Sequence, residues 1–401
     1  MFFVGMNFTK KKLENGLTVL FEKRDVPVTT VMLATKFGSI HETAEDKGIA
    51  HFIEHLCFKG TKKRTTRQIA FELEKVGGIL NAFTSEEETA YYAKLSSQHL
   101  ELAMDVIFDI FFNPIFPEEE INKEGKVICE EIKMYNDDTV RHTLNKIKSN
   151  LYESPFGMDI IGTKENIEGM SRDVLMKKHN EVYTPQNAIL SVVGNNDIEE
   201  IIRFAEKFSV ERPGKMPSVP KIIPITKTTT ETRKDIQQAN VVMGLHFPKS
   251  CEKDRYAAEV LATILGHGMS SRLFTEVREK RGLAYAVKTS LDLGKEFGYM
   301  IIYAGTDKNK VKEVMDICIQ EFKKMKDITE KELQEGKEHA IGNHVIEAEG
   351  SNETAVNLLV EEISGDARNY YAYEKNINSV KLEDIKKLAG VSKYSSFALT
   401  P

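Results

Sequence analysis

Gly48-Ile49-Ala50-His51-Phe52-Ile53-Glu54-His55-Leu56-Cys57-Phe58-Lys59-Gly60-Thr61 is the stretch on which the reading of this chain turns. Ile49, Phe52, Ile53 and Leu56 recur at helical spacing and Gly60 is a stop signal, which predicts a helix from Asp46 to about Phe58. On such a helix His51 and His55 share one face, one turn apart, close enough to bind the same zinc ion. Glu54 stands beside the second histidine, so its carboxylate can reach a metal-held water as general base. Zinc lowers the pKa of such a water from about 15.7 to about 7. The order H-x-x-E-H reverses the commoner zincin order and is itself a catalytic zinc motif. Three polar titratable groups among apolar neighbours need a partner, and a metal provides one. The bland alternative is a pair of surface histidines on an unrelated helix.

A catalytic zinc usually takes three protein ligands, so another is needed. Its best source is a helix expected from Glu118 to about Tyr135, which contains Glu124, Glu130 and Glu131. Val127 and Ile128 lie one turn before Glu131 and Ile132 lies beside it. That turns Glu131 inward, where a carboxylate wants a cation. Glu124, two turns earlier on nearly the same face, is placed to orient a ligand by hydrogen bonding. Glu130 reads as solvated helix surface. The other histidines have no spacing matched to a second ligand, and Cys57 and Cys129 read as small apolar fillers.

Outward from the motif, Gly16–Glu22 and Thr29–Lys36 alternate like strands. Helices are expected over about Thr66–Val76 and Ser97–Phe112, with strand-like residues between them through Lys94, and Asn187–Val193 reads as a buried strand. From Val210 to Glu231 the chain carries Pro213, Pro217, Pro220, Pro224 and Thr228-Thr229-Thr230, the composition of an interdomain linker. Beyond it, Glu279-Lys280-Arg281-Gly282 precedes strands through Ala304 and a helix over about Lys308–Met325. Glu74-Lys75-Val76-Gly77 precedes strands and a helix in the same order. The expectation is an α/β (α+β) chain of two homologous domains, 1–210 and 232–401, joined by a linker at 211–231. Each has a mixed, largely antiparallel sheet with helices packed on it.

Length and composition agree. A chain of 401 residues suits two cores, and a formal net charge of −6 argues against nucleic acid or an anionic membrane surface as the main partner. Lys10-Lys11-Lys12 and Lys62-Lys63-Arg64 read as solvated surface. Four scattered cysteines without a CxxC pair suit reduced thiols in a cytoplasmic protein. Met1–Met6 is apolar but too short for a signal core, and no run approaches the roughly 18 apolar residues of a membrane span. Gly266-His267-Gly268 is not followed by the Lys-Ser/Thr of a phosphate loop.

The run Gly48–Thr61 also resembles the signature of the pitrilysin/insulinase family of inverted-motif zinc peptidases, nearest to its mitochondrial-processing-peptidase branch. The similarity extends over nearly the whole chain, including Tyr183-Thr184-Pro185 and the strand before Gly194. The resemblance implies that the third ligand is Glu131. Gly77-Gly78-Ile79-Leu80-Asn81-Ala82-Phe83-Thr84, with Thr89 and Tyr91, resembles that family's substrate-binding edge strand. This implies that Gly78, Asn81, Ala82, Phe83 and Thr84 meet an extended peptide through main-chain hydrogen bonds. Phe58 matches the family's apolar pocket residue, which implies a bulky apolar residue just after the cut. Farther on, Gly268–Phe274 leads into Val277–Tyr285, similar to the stretch that carries the family's Arg and Tyr pair, here Arg278 and Tyr285. A guanidinium and a phenol suit the oxyanion charge that peptide hydrolysis develops. Without the zinc motif upstream, the same two residues would read as a surface ion pair and a core ring. One departure stands out: Arg141 and Asn145 occupy the positions where processing peptidases hold arginine with acidic residues, so an arginine pocket is not expected.

The chain is therefore expected to be a zinc metalloendopeptidase with one Zn2+ per chain that cuts unfolded peptides. Single-chain members of the family are about twice as long and close like a clamshell. By that resemblance this chain forms half of a clamshell and pairs as a homodimer, or with an inactive sister subunit. From a different class, a non-catalytic structural or partner subunit of the same fold is the alternative. A peptide-binding chaperone with structural zinc is a third reading, but it would have no need of Glu54.

Overall fold

Three strands open the computed structural model, which describes residues 7–401: β1 (Phe8–Lys12), β2 (Thr18–Lys23) and β3 (Val28–Thr35). Met1–Met6, read above as too short for a signal core, lies outside the described residues. The motif helix α1 (Ile49–Cys57) and α2 (Thr66–Glu74) follow. Next come β4 (Ile79–Thr84), β5 (Thr89–Ser96), α3 (Leu100–Phe112) and α4 (Glu118–Asp137). A later strand, β6 (Ala188–Gly194), completes a six-stranded sheet in the order β1-β2-β6-β3-β5-β4. Only β2 and β6 run parallel; the other neighbours are antiparallel.

The central strands explain themselves. β6 is buried along its whole length and β3 along all but its first residue, as expected of strands covered on both faces. Val31 and Leu33 face one way, into a core that α1 and α3 help to fill. Met32 and Ala34 face the other way, toward Ala355, Leu358 and Leu359 of the helix Ser351–Ser364. One turn of pleat thus sends alternate residues into two separate cores.

The chain divides into two compact units. The first gathers the residues through Ile132, Asp159–Pro220 and Glu347–Tyr371. The second gathers Lys133–Met158, Lys221–Ile346 and Ala372–Pro401. In the second, α5 (Thr139–Leu151) packs on a five-stranded sheet of β7 (Thr228–Thr232), β8 (Ala239–His246), β9 (Ala284–Leu293), β10 (Gly298–Thr306) and β11 (Ser395–Thr400). Its order is β7-β11-β8-β10-β9, again with one parallel pair, β7 and β11, and antiparallel neighbours elsewhere.

The two sheets therefore share one pairing plan, and both are mixed, largely antiparallel and covered by helices: an α/β fold built twice. Each sheet is also covered by a helix from a distant part of the chain. α5 lies early in the sequence yet packs on β8 and β11, and Ser351–Ser364 lies late yet packs on β3 and β6. Thr228-Thr229-Thr230, within the stretch read as linker, forms β7. Its β-branched side chains favour a strand once β11 offers a partner.

Candidate metal centre

The motif helix starts where the chain can turn only with glycine. Gly48, its N-cap, has a left-handed φ of 97°, and a Cβ there would lie 2.6 Å from the Ile161 carbonyl oxygen. With no side chain of its own, it cannot cap the helix. Glu42 does so from the preceding loop: its Oε2 accepts from the Gly48 N–H (3.1 Å) and its Oε1 from the Ala50 N–H (2.9 Å). A carboxylate at this end also complements the helix dipole. Glu42 is fully buried with Lys47, whose Nζ lies 3.4 Å from Oε2 and donates to the Ser39 carbonyl at 2.8 Å. Burial raises the Glu42 carboxyl, and Lys47 and the two amides oppose that rise. Ile49, Ala50, Phe52, Ile53, Leu56 and Cys57 then fix the helix in the core, leaving His51, Glu54 and His55 along one side.

Across from them, α4 supplies Glu131 and Glu124. Glu131 Oε2 lies 3.8 Å from His51 Nε2 and 3.7 Å from His55 Nε2. Among the described residues, this trio is the one group of His, Cys, Asp or Glu donors close enough to hold a metal ion, with ligand atoms all within 4.8 Å of one another. Separations of 3.7–3.8 Å are too long for hydrogen bonds and near the ~3.4 Å between ligand atoms that sit about 2.1 Å from one tetrahedral ion. Two imidazoles and a carboxylate are also a donor set that catalytic zinc uses while keeping a fourth position open. The residues fit the ion. Glu130, the neighbour in sequence, is exposed.

Glu124 is buried and its Oε2 meets His55 Nδ1 at 3.1 Å, which leaves Nε2 of His55 directed toward Glu131 and His51. Lys59 completes the chain of contacts, with Nζ 2.8 Å from Glu124 Oε1. Burial pushes the Glu124 carboxyl up, but the His55 hydrogen bond and Lys59 outweigh it and hold it below its ordinary value. Burial pulls His55 down, and Glu124, Glu54 and Glu131 overcome that and raise it. Glu54 is raised, first by burial and further by Glu131, against a hydrogen bond from Thr84 and the influence of His55. Thr84 Oγ1 donates to Glu54 Oε2, tying the end of β4 to the proposed base.

The residues read as substrate-binding gather on the same side of this unit. β4 is the edge of its sheet, with Gly78 just before it and Asn81, Ala82, Phe83 and Thr84 along it. Phe58 closes α1, half-buried, its ring 5.8 Å from that of Tyr91. Arg141 and Asn145 lie on α5 in the second unit, where the Arg141 guanidinium stacks 3.2 Å from the Tyr135 ring centroid.

Arg278 and Tyr285 also belong to the second unit. Arg278 is exposed on a π-helical turn, Phe274–Glu279, its guanidinium 5.0 Å from the Phe274 ring centroid. Among the described residues no carboxylate pairs with it, whereas Lys280 and Arg281 both pair with Glu276. Tyr285 is 45% exposed, not a core ring. Sequence reading missed Glu42, Lys59 and the Thr84 contact. For Lys59 a signal existed, since it lies four residues after His55, just past the end of the motif helix. For Glu42 there was none, because only the folded loop brings it to the helix start.

Comparison with known proteins bears on this centre. A profile described as insulinase (peptidase family M16) matches residues 18–164, and one described as the peptidase M16 inactive domain matches residues 169–339. A Bacillus subtilis protein named as an uncharacterized zinc protease, YmxG, is 35% identical over 386 residues, covering 94% of this chain and 93% of the relative. A Rickettsia felis protein, also named as an uncharacterized zinc protease, is 35% identical over 386 residues, covering 94% and 91%. The crystal structure of a protease from Helicobacter pylori superposes with a TM-score of 0.89 at 24% identity, over 99% of this chain and 100% of that one. A peptidase M16 inactive domain from Pseudomonas fluorescens gives a TM-score of 0.89 at 19% identity, over 99% and 98%. The two structures speak to the fold. The two relatives speak to a zinc protease.

Proposed function

We propose, because the chain belongs to the insulinase family of peptidases (family M16), that it is a zinc-dependent endopeptidase acting on unfolded peptides. The observation that carries this reading is the convergence of His51, His55 and Glu131 beside a half-buried Glu54. His51, His55 and Glu131 would hold one zinc ion per chain. Zinc, when bound, supplies a Lewis acid that makes water acidic near neutral pH.

The remaining work falls to the chain's own groups. Glu124, braced by Lys59, keeps the His55 ring in one orientation and tautomer. Glu54, held by Thr84, takes a proton from the attacking water and delivers it to the departing amine nitrogen. The open edge of β4 receives the peptide as an added strand, and Phe58 offers its ring to the residue after the cut. Arg278 and Tyr285 donate to the peptide carbonyl oxygen as it gains charge. They come from a second copy of the chain, so that a homodimer has two sites, each shared between protomers.

Cys57, Cys129, Cys251 and Cys318 are all free, which supports a reducing compartment such as the cytoplasm. Among the described residues no helix is long and apolar enough to cross a membrane. The experiment is metal analysis of the purified protein with a quenched-fluorescent peptide assay, before and after chelation. Zinc near one per chain and cleavage that chelator removes and zinc restores are expected. Zinc without cleavage of any unstructured peptide would refute the proposal and leave a non-catalytic subunit or a zinc-stabilised peptide binder.

A further inference from the structure

We infer that Gly305 is a positioning residue for Tyr285: a β-bulge turns the tyrosine out of β9, and the missing side chain of Gly305 gives its phenol a seat. The inference rests on the function proposed above, in which Tyr285 donates to the substrate carbonyl. Between β9 and β10, Ala286 pairs with Gly305 and Ala284 with Thr306, which leaves Tyr285 as the extra residue of a bulge. Burial along β9 records the slip: Ala284 and Val287 are buried, while Tyr285 and Ala286 between them both face outward. Bulges re-aim side chains in this way and recur beside active sites.

The bulge is pinned on its near side by Thr306, whose Oγ1 donates to the Leu283 carbonyl at 2.5 Å. Leu283 N–H in turn donates to the Val277 carbonyl at 3.0 Å, on the π-helical turn that carries Arg278. Two local irregularities, a π-turn and a bulge, thus present the two donors a few residues apart.

The phenol then lies back across β10. A Cβ at Gly305 would stand 2.3 Å from Tyr285 Oη, 2.4 Å from Cζ and 2.9 Å from Cε1, and these are its three nearest atoms. Gly305 is not among the glycines with positive φ, so its backbone accepts alanine and the clash falls on Tyr285 alone. Since the obstructed atoms are the far end of a side chain, the ring can swing away while the sheet stays intact. Beside the seat, the Tyr303 hydroxyl donates to Asn240 Oδ1 at 2.6 Å.

The test uses the full-length, zinc-loaded protein with 13Cζ-labelled tyrosine, as wild type, Gly305→Ala, Tyr285→Phe and the double variant. The resonance missing in Tyr285→Phe identifies Tyr285. In Gly305→Ala that resonance should shift while the other tyrosines keep their positions, which also reports an intact fold. Peptide kcat should fall about 10- to 100-fold with little change in KM, as when one oxyanion donor is lost. The double variant should fall no further than Tyr285→Phe. An unmoved resonance, a wild-type kcat in Gly305→Ala, or a double variant showing the product of both losses would overturn the inference. If Gly305→Ala moves the resonance but Tyr285→Phe keeps wild-type kcat, the seat stands and the role given to Tyr285 falls. Thr306→Val, which frees the bulge without adding an atom at Gly305, should move the same resonance.

Discussion

Glu42→Gln should loosen the zinc-binding helix from a distance. The fully buried carboxylate accepts two backbone N–H groups at the start of α1, one on each oxygen, and faces Lys47 at 3.4 Å. An amide in its place keeps one acceptor, turns an NH2 toward the other N–H, and removes the charge that faces the buried Lys47 ammonium. Breaking a buried pair from one side costs about 3–5 kcal/mol, and an orphaned amide about 1–3. The two overlap, so about 4 kcal/mol is a fair expectation for the whole change. In a unit of this size that lowers Tm by roughly 8–16 °C. His51 follows the capped Ala50 directly, so zinc affinity should fall with it. The assay is a thermal melt with and without zinc, together with metal content after dialysis. Lys47→Met added to Glu42→Gln should recover part of the loss by removing the buried ammonium that Glu42 faces. A Glu42→Gln variant melting within about 2 °C of wild type, with full zinc, would refute the remote cap.

Glu54→Gln should retain zinc at one per chain yet lose peptide hydrolysis by about 10²–10⁴-fold, as expected when only proton transfer is removed. Glu131→Gln should lose zinc as well; if it keeps both metal and activity, Glu131 is not a ligand. Co-expressed Glu54→Gln and Tyr285→Phe chains with different tags should give mixed dimers with about half of wild-type activity, because one of two shared sites is intact. Mixed dimers no more active than the parents would sink the shared site. Acid should weaken the first unit through His179, which burial holds neutral with a pKa of about 3 against 6.5. Its folded-state pKa is depressed, so the unfolded chain binds the extra proton below pH 6.5, and stability present above that pH is lost as pH falls toward 3. Between pH 6 and 4.5 this amounts to about 2 kcal/mol, and His179→Gln should remove that much of the slope in urea midpoints. Parallel wild-type and variant slopes would contradict it.

What the sequence made legible was whatever depends on spacing along one element. The i, i+4 histidines and the inward face of Glu131 follow from the helix period, whereas the edge strand was legible through the family resemblance. The strands near Gly16, Thr29 and Asn187 and the helices near Thr66, Ser97 and Glu118 lie where their patterns put them, within a few residues. The motif helix begins at Ile49, later than Asp46, because Gly48 turns the chain there. Contacts between elements stayed hidden. Nothing local marks α5 or Ser351–Ser364 as covers for sheets far from them in the chain, nor Glu42 as a cap, nor Thr84 as the partner of Glu54. Residues 228–231 read as linker because their proline-rich approach outweighs three threonines, and pairing with β11 makes them strand.

The same division explains why the centre favours a cation. Each donor is placed by its own helix, but its aim and charge are set by neighbours from elsewhere. Burial raises the Glu54 carboxyl and nearby Glu131 adds to that rise, while Lys59 is engaged by Glu124. Glu54, Glu124 and Glu131 thus gather beside His51 and His55, with the Lys59 ammonium held on Glu124. Elsewhere in the same unit a cluster of acids closes directly on a cation, where the Arg64 guanidinium pairs with Glu72, Asp105 and Asp109. Glu131 Oε2 faces the Nε2 atoms of His51 and His55 from just beyond hydrogen-bond reach. A divalent ion between those three atoms would favour the ionised form of the carboxyl groups around it, and so oppose the rise in Glu54.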